Sequence, residues 1–117
     1  MTATVESCGS IASTTSIDSA KALESAGADL ILLEGIAAES GRRITAALSV
    51  PVIGIGAGPG TDGQILVLYD VLDITTGRKP RFVLNCMEGA GSNLAALQRY
   101  VAAGKSGLYP SPEHCFT

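Results

Sequence analysis

Residues 50–63, VPVIGIGAGPGTDG, decide how this chain is read. Pro51 opens a short apolar run, and Val52, Ile53 and Ile55 are stiff at χ1 and suit a buried strand. Gly54, Gly56, Gly58 and Gly60 follow in quick alternation. Glycine at a strand end admits backbone conformations closed to other residues and lets main chain approach a ligand or another segment. In α/β folds, ligands gather beyond the C-terminal ends of parallel strands. The stretch therefore reads as one wall of a site.

Working outward, the flanking sequence alternates helical and strand patterns. Ser16 reads as an N-cap, with Asp18 in the first turn and Ile17, Ala20, Leu23 and Glu24 spaced for a short helix. Gly27 stands where a helix C-cap belongs. Leu30–Leu33, LILL, is a continuous apolar run short enough for a strand buried on both faces. Residues 37–48 read as a helix with Ile44, Ala47 and Leu48 on one side and Arg42 and Arg43 on the other. Residues 63–74, GQILVLYDVLDI, fit a strand over 65–69, but Asp62 as an N-cap and helical spacing of Ile65, Leu68, Tyr69 and Leu72 favour a helix. Residues 81–85 read as a short strand, and 93–106 as a helix with Leu94, Leu97, Tyr100 and Val101 inward. Strands alternating with helices predict an α/β fold of parallel βα units. Residues 1–16 are expected to be irregular.

Composition removes several classes of function. A net charge of −3 gives no electrostatic case for nucleic acid or an anionic membrane. No apolar run approaches the ~18 residues of a membrane span, and the N-terminus has no basic region of the kind a signal peptide carries. A cytoplasmic location is expected. Cys8, Cys86 and Cys115 are widely separated, with no CxxC or Cys/His cluster, so they read as reduced, buried thiols rather than a zinc site or disulfide framework. At 117 residues the chain is one domain or a piece of one, less than half the ~250 residues of a closed (β/α)8 barrel.

Glu34 is the sharpest chemical candidate. It follows LILL directly, where a parallel strand emerges, and a partly desolvated carboxylate there suits a base that removes a proton beside a carbonyl. The plainer alternative is a helix-cap or salt-bridge glutamate. The glycine run would cradle a phosphate or simply form a tight turn for close packing; it lacks the GK[ST] of a P-loop. His114, the only histidine, reads as a tail docking residue, Asp62 as a cap, and Asp70 and Asp73 as a solvated helix face rather than metal ligands.

Taken together, ALESAGADLILLEGI, VPVIGIGAG, TDGQILVLYD, KPRFVLN and SGLYPSPEHCF resemble, in order and spacing, the C-terminal half of the ketopantoate hydroxymethyltransferase family. The resemblance runs from about Asp18 to Phe116. It implies part of a (β/α)8 TIM barrel over 17–117 in a high-order oligomer. It also implies transfer of a one-carbon unit from methylenetetrahydrofolate to the keto acid 3-methyl-2-oxobutanoate, with magnesium as Lewis acid. The family's proton acceptor maps onto Glu34. Its magnesium-binding aspartates and substrate-binding serine and lysine belong to an N-terminal half that residues 1–16 do not match. The resemblance therefore assigns this chain no metal or cofactor ligand. It implies a chain inactive alone, or a non-catalytic half-barrel that associates with a complementary chain. Tyr69 stands where the family usually has histidine, Asp73 where it often has glycine, and Cys115 where it has serine.

Overall fold

A computed structural model of the chain describes residues 1–6 and 14–117; Cys8 lies outside them. Four strands form one sheet: β1 (Thr2–Glu6), β2 (Leu30–Glu34), β3 (Val52–Ile55) and β4 (Gly63–Gln64), in the order β1-β2-β3-β4. All three pairings are parallel. Helices α1 (Thr14–Ser25) and α2 (Ala38–Ala47) connect the first three strands, as parallel pairing demands. A four-residue α3 (Leu68–Val71) and a long α4 (Asn93–Ser106) follow, then a 3-10 turn over Pro112–His114. The expected α/β class of parallel strands and helices is what the chain adopts.

The opening residues correct the sequence reading. Instead of irregular chain, Thr2–Glu6 is a strand in register with Leu30–Glu34. Long-range contacts define it: Asp29 N–H donates to the Met1 carbonyl at 2.8 Å, and the terminal ammonium pairs with the Asp29 carboxylate. Helix α1 begins at Thr14, so Ser16 falls inside its first turn rather than capping it. At its other end Gly27, at φ 97°, receives the expected role. Gly27 N–H reaches the Glu24 carbonyl and Ala28 N–H the Leu23 carbonyl, the paired bonds of a Schellman ending. Glu24 Oε1 then accepts from both Ser49 N–H and its hydroxyl at 2.7 Å, tying α1 to the chain leading into β3. Those bonds hold the Glu24 carboxyl below its ordinary range.

Both α1 and α2 pack on the same face of the sheet. Ala20 and Ile44 from the helices close over Ile31, Leu33 and Val52 from the strands. LILL is therefore not buried on both faces. Ile31 and Leu33 are fully buried, while Leu30, Leu32 and Glu34 alternate onto the helix-free face and are half-buried. A second cluster joins Val71, Cys86 and Ala96 with Leu66, Leu84 and Tyr100.

Three further expectations change. Arg81–Asn85 is not a strand: Val83 N–H turns back to the Pro80 carbonyl, and the Asn85 side chain accepts from Met87 and Glu88 N–H, closing the run as a turn. Residues 63–74 split, with a two-residue strand first and helix only over Leu68–Val71. Asp62 explains the split. It does not cap a helix; its carboxylate accepts Val52 N–H at 2.8 Å while its own N–H donates to the Val52 carbonyl at 2.9 Å. Helix α4 has its expected bounds, with Ser92 capping Ala95 N–H and Gly107 at φ 75°, but turns a different face inward. Ala96 is buried and Tyr100 half-buried, while Leu94, Leu97 and Val101 are exposed.

Ser40, on α2, is 5% exposed and its hydroxyl has no partner among the described residues. A buried orphan hydroxyl costs about 1–3 kcal/mol, and alanine is also the better helix former. Ser40→Ala is expected to stabilise the chain by about 1 kcal/mol, read as a higher urea midpoint at unchanged slope.

Candidate active site at the end of the second strand

The sheet register places Glu34 at the C-terminal end of β2, beside Ile55 of β3 and level with Glu6 of β1. The turn after it is fixed at each step. Gly35, at φ 62°, occupies the left-handed region that glycine accepts without strain, and its N–H donates to the Ile55 carbonyl at 2.9 Å. Ile36 is buried in the core, and Ala38 N–H, in the first turn of α2, donates to the Phe116 carbonyl at 2.9 Å. Glu34 itself is half-buried on the helix-free face and enters no ion pair among the described residues. A carboxylate so held, with no cation paired to it among the described residues, can serve as a general base.

The glycine run is packed rather than cradle-like. An added Cβ at Gly58 would overlap Ala38, and one at Gly56 would overlap the Phe82 ring. At Gly60 it would meet the Arg42 Cβ at 2.8 Å, and at Gly54 the Thr61 hydroxyl at 2.8 Å. Gly41 answers from the helix side, admitting the Ala57 carbonyl. The run lets the loop after β3 descend directly along α2, the close-packing alternative. A cavity of about 410 Å³ opens elsewhere, between this loop and the C-terminal end of α4, lined by Asp62, Gln64, Tyr100, Lys105 and Tyr109 among others. Glu34 does not line it.

The C-terminal tail returns to the strand ends. Tyr109 is buried, and its hydroxyl donates to the Phe82 carbonyl at 2.6 Å. Burial pushes the Tyr109 phenol above its ordinary range, so it stays a donor. Phe82 in turn meets Phe116 edge-to-face, with ring centroids 6.2 Å apart. His114 docks within the tail, as expected: its Nδ1 accepts Ser111 N–H at 3.2 Å and its ring lies edge-on to Tyr109. Cys86 is buried and Cys115 half-buried, its thiol donating to the Ser111 carbonyl at 3.3 Å; both are free cysteines whose thiols burial pushes up, away from the reactive thiolate.

Asp70 is buried, not on a solvated face, because the single turn of α3 points Asp70 and Val71 inward and leaves Leu68 and Tyr69 exposed. Asp73 is exposed and pairs with Lys79; its φ of 58° is the conformation for which glycine is the easier residue. No three His, Cys, Asp or Glu side chains converge among the described residues. Phe82, Tyr109 and Phe116 went unmarked in the sequence because no spacing pattern links them; their only signal is aromatic character close to proline and glycine.

Comparison with known proteins gives the family. A family model described as ketopantoate hydroxymethyltransferase matches residues 5–112. The 3-methyl-2-oxobutanoate hydroxymethyltransferase of Alkalilimnicola ehrlichii is 62% identical over 97 residues, 83% of this chain and 35% of that protein. The protein of the same name from Salmonella newport is 53% identical over 100 residues, covering 86% of this chain and 38% of its own length. The 3-methyl-2-oxobutanoate hydroxymethyltransferase 2 of Hahella chejuensis is 50% identical over 100 residues, again 86% and 38%. The chain thus spans little more than a third of the length of these relatives.

Proposed function

This chain belongs to the ketopantoate hydroxymethyltransferase family, a family of transferases, and from that membership we propose that it carries the proton-abstracting wall of a site that converts 3-methyl-2-oxobutanoate to 2-dehydropantoate. The supporting observation is Glu34: a half-buried carboxylate that pairs with no cation among the described residues, at the C-terminal end of a parallel strand, on the face opposite α1 and α2. Its carboxylate takes the proton from the carbon beside the keto group. The electron pair left on that carbon forms the new C–C bond to the methylene carbon of methylenetetrahydrofolate as one of that carbon's two C–N bonds breaks. Water then supplies the hydroxyl as the second C–N bond breaks, and the abstracted proton and the remaining water proton go to the two nitrogens of the departing tetrahydrofolate. Magnesium, which supplies Lewis-acid stabilisation in such chemistry, would be held by the part of the relatives' length that this sequence does not span.

The same reading makes the sheet part of a (β/α)8 barrel. Four parallel strands in sequential order, with α1 and α2 on one face, match the local organisation of such a barrel. The outer edges of β1 and β4 would pair with strands outside this sequence. The exposed Leu94, Leu97 and Val101 of α4 are apolar surface of the kind another part or copy covers. A homo-oligomer in the cytoplasm is the setting proposed. Those two free edges also favour a second reading, in which the chain is a non-catalytic half that binds a complementary chain.

The test is reconstitution. The purified chain, given 3-methyl-2-oxobutanoate, methylenetetrahydrofolate and magnesium, is expected to form no 2-dehydropantoate above background. Adding the preceding part of the Alkalilimnicola ehrlichii protein is expected to restore it. Turnover by the chain alone overturns the divided site, and a stable complex without turnover favours the non-catalytic half.

A further inference from the structure

The C-terminal tail reaches the turn that carries Glu34. Phe116 bridges to Ala37 in parallel fashion, and its carbonyl accepts the Ala38 N–H at 2.9 Å. Helix α2 has no side-chain cap, since its N-cap position is Ala37. One of the N–H groups that every helix start leaves orphaned is thus satisfied from the far end of the chain. Only Gly35, Ile36 and Ala37 separate Glu34 from the helix that Phe116 anchors.

Phe116 is itself pinned. Its ring meets Phe82 edge-to-face. Phe82 is buried, lies against Gly56 at the end of β3, and has its carbonyl held by the Tyr109 hydroxyl. The Arg81 guanidinium donates to the Cys115 carbonyl at 3.4 Å, one residue before Phe116. The tail is therefore clamped, through Phe82, to the end of β3 beside the proposed base, and its last contact falls on the turn that follows that base.

From this geometry we infer that Phe116 is a positioning residue for Glu34, acting through the Ala37–Ala38 turn. The role rests on the reading of Glu34 as the base. The sheet fixes Glu34 on one side through the β2–β3 ladder, and the tail fixes the chain that leaves it on the other. Without the Phe116 ring the tail loses its hold on Phe82, the Ala38 bond opens, and the Glu34–Ala38 turn gains freedom. A displacement of that kind at a catalytic group costs rate rather than affinity.

The experiment uses the enzyme completed with the preceding part of the Alkalilimnicola ehrlichii protein. It follows deuterium exchange at the C–H of 3-methyl-2-oxobutanoate, together with hydrogen exchange at the Ala38 amide. Phe116→Ala is expected to lower kcat for exchange about 10- to 100-fold with KM within about twofold, and to speed exchange at the Ala38 amide. Phe116→Tyr, which keeps the ring edge, is expected to restore both. Should the alanine variant fail to fold, Phe116→Leu is expected to show the same split with a smaller loss. Unchanged kcat in Phe116→Ala or Phe116→Leu, in an enzyme whose Glu34→Gln form has lost exchange, overturns the positioning role and leaves the base in place. Unchanged exchange in Glu34→Gln overturns the base, and the positioning role falls with it.

Discussion

Glu34→Gln in the completed enzyme is expected to lower the rate of deuterium exchange at the 3-methyl-2-oxobutanoate C–H by about 10²- to 10⁴-fold, the usual contribution of a positioned general base. Glutamine keeps the size and planar shape of the side chain but cannot take the proton. The backbone of residue 34 is set by its register with Ile55 and by the Gly35 N–H bond to the Ile55 carbonyl, so the substitution leaves the turn where it is. Glu34 is half-buried and pairs with no cation among the described residues. Its loss therefore costs little stability, within about 0.5 kcal/mol. An unchanged KM with a collapsed kcat is the pattern of an interaction made only in the transition state. Exchange at the parental rate in a folded Glu34→Gln enzyme would remove Glu34 from this role.

The features legible in the sequence are those written by neighbours in the chain. Ser92 and Gly107 bound α4 because capping is a matter of one turn. Gly27 ends α1 for the same reason. The strand LILL and the position of Glu34 at its end follow from a short apolar run stopped by a charge. What was not legible depends on partners far along the chain. Thr2–Glu6 has a weak strand pattern and becomes a strand because β2 is there to pair with it. Arg81–Asn85 has a better one and does not, because a hydroxyl and turn bonds satisfy its backbone in place of a ladder. On α4 the pattern finds the apolar stripe but cannot say which surface is present to cover it. Ala96 and Tyr100 face the second cluster, and the leucines do not. The contact of Phe116 with the Glu34 turn has no local signal at all.

Gly58→Ala is expected to destabilise the chain by about 2–5 kcal/mol, a cost that separates the two meanings of the glycine run. Gly58 sits at φ 77°, where a residue with a Cβ pays about 1–2 kcal/mol. Its added carbon would also overlap the Ala38 side chain and lie 2.8 Å from the Ala38 Cα, and overpacking of that kind costs about 1–3 kcal/mol more. Ala38 opens α2 and holds the Phe116 bond, so the strain falls on the turn after Glu34. The same substitution at Gly104 provides the contrast. Gly104 lies within α4, and nothing stands within 4 Å of its added Cβ. Alanine there is expected to stabilise by about 0.5–1 kcal/mol through the helix alone. Urea midpoints moving in opposite directions for one chemical change would show that position, not glycine as such, sets the cost. A phosphate cradle predicts something else: Gly58→Ala with near-parental stability, and Gly54–Gly60 amides that shift when inorganic phosphate is titrated into the parental chain and no longer shift in the variant. That combination would overturn the packing role, because a loop that tolerates a methyl group against Ala38 is not held by the contact described here.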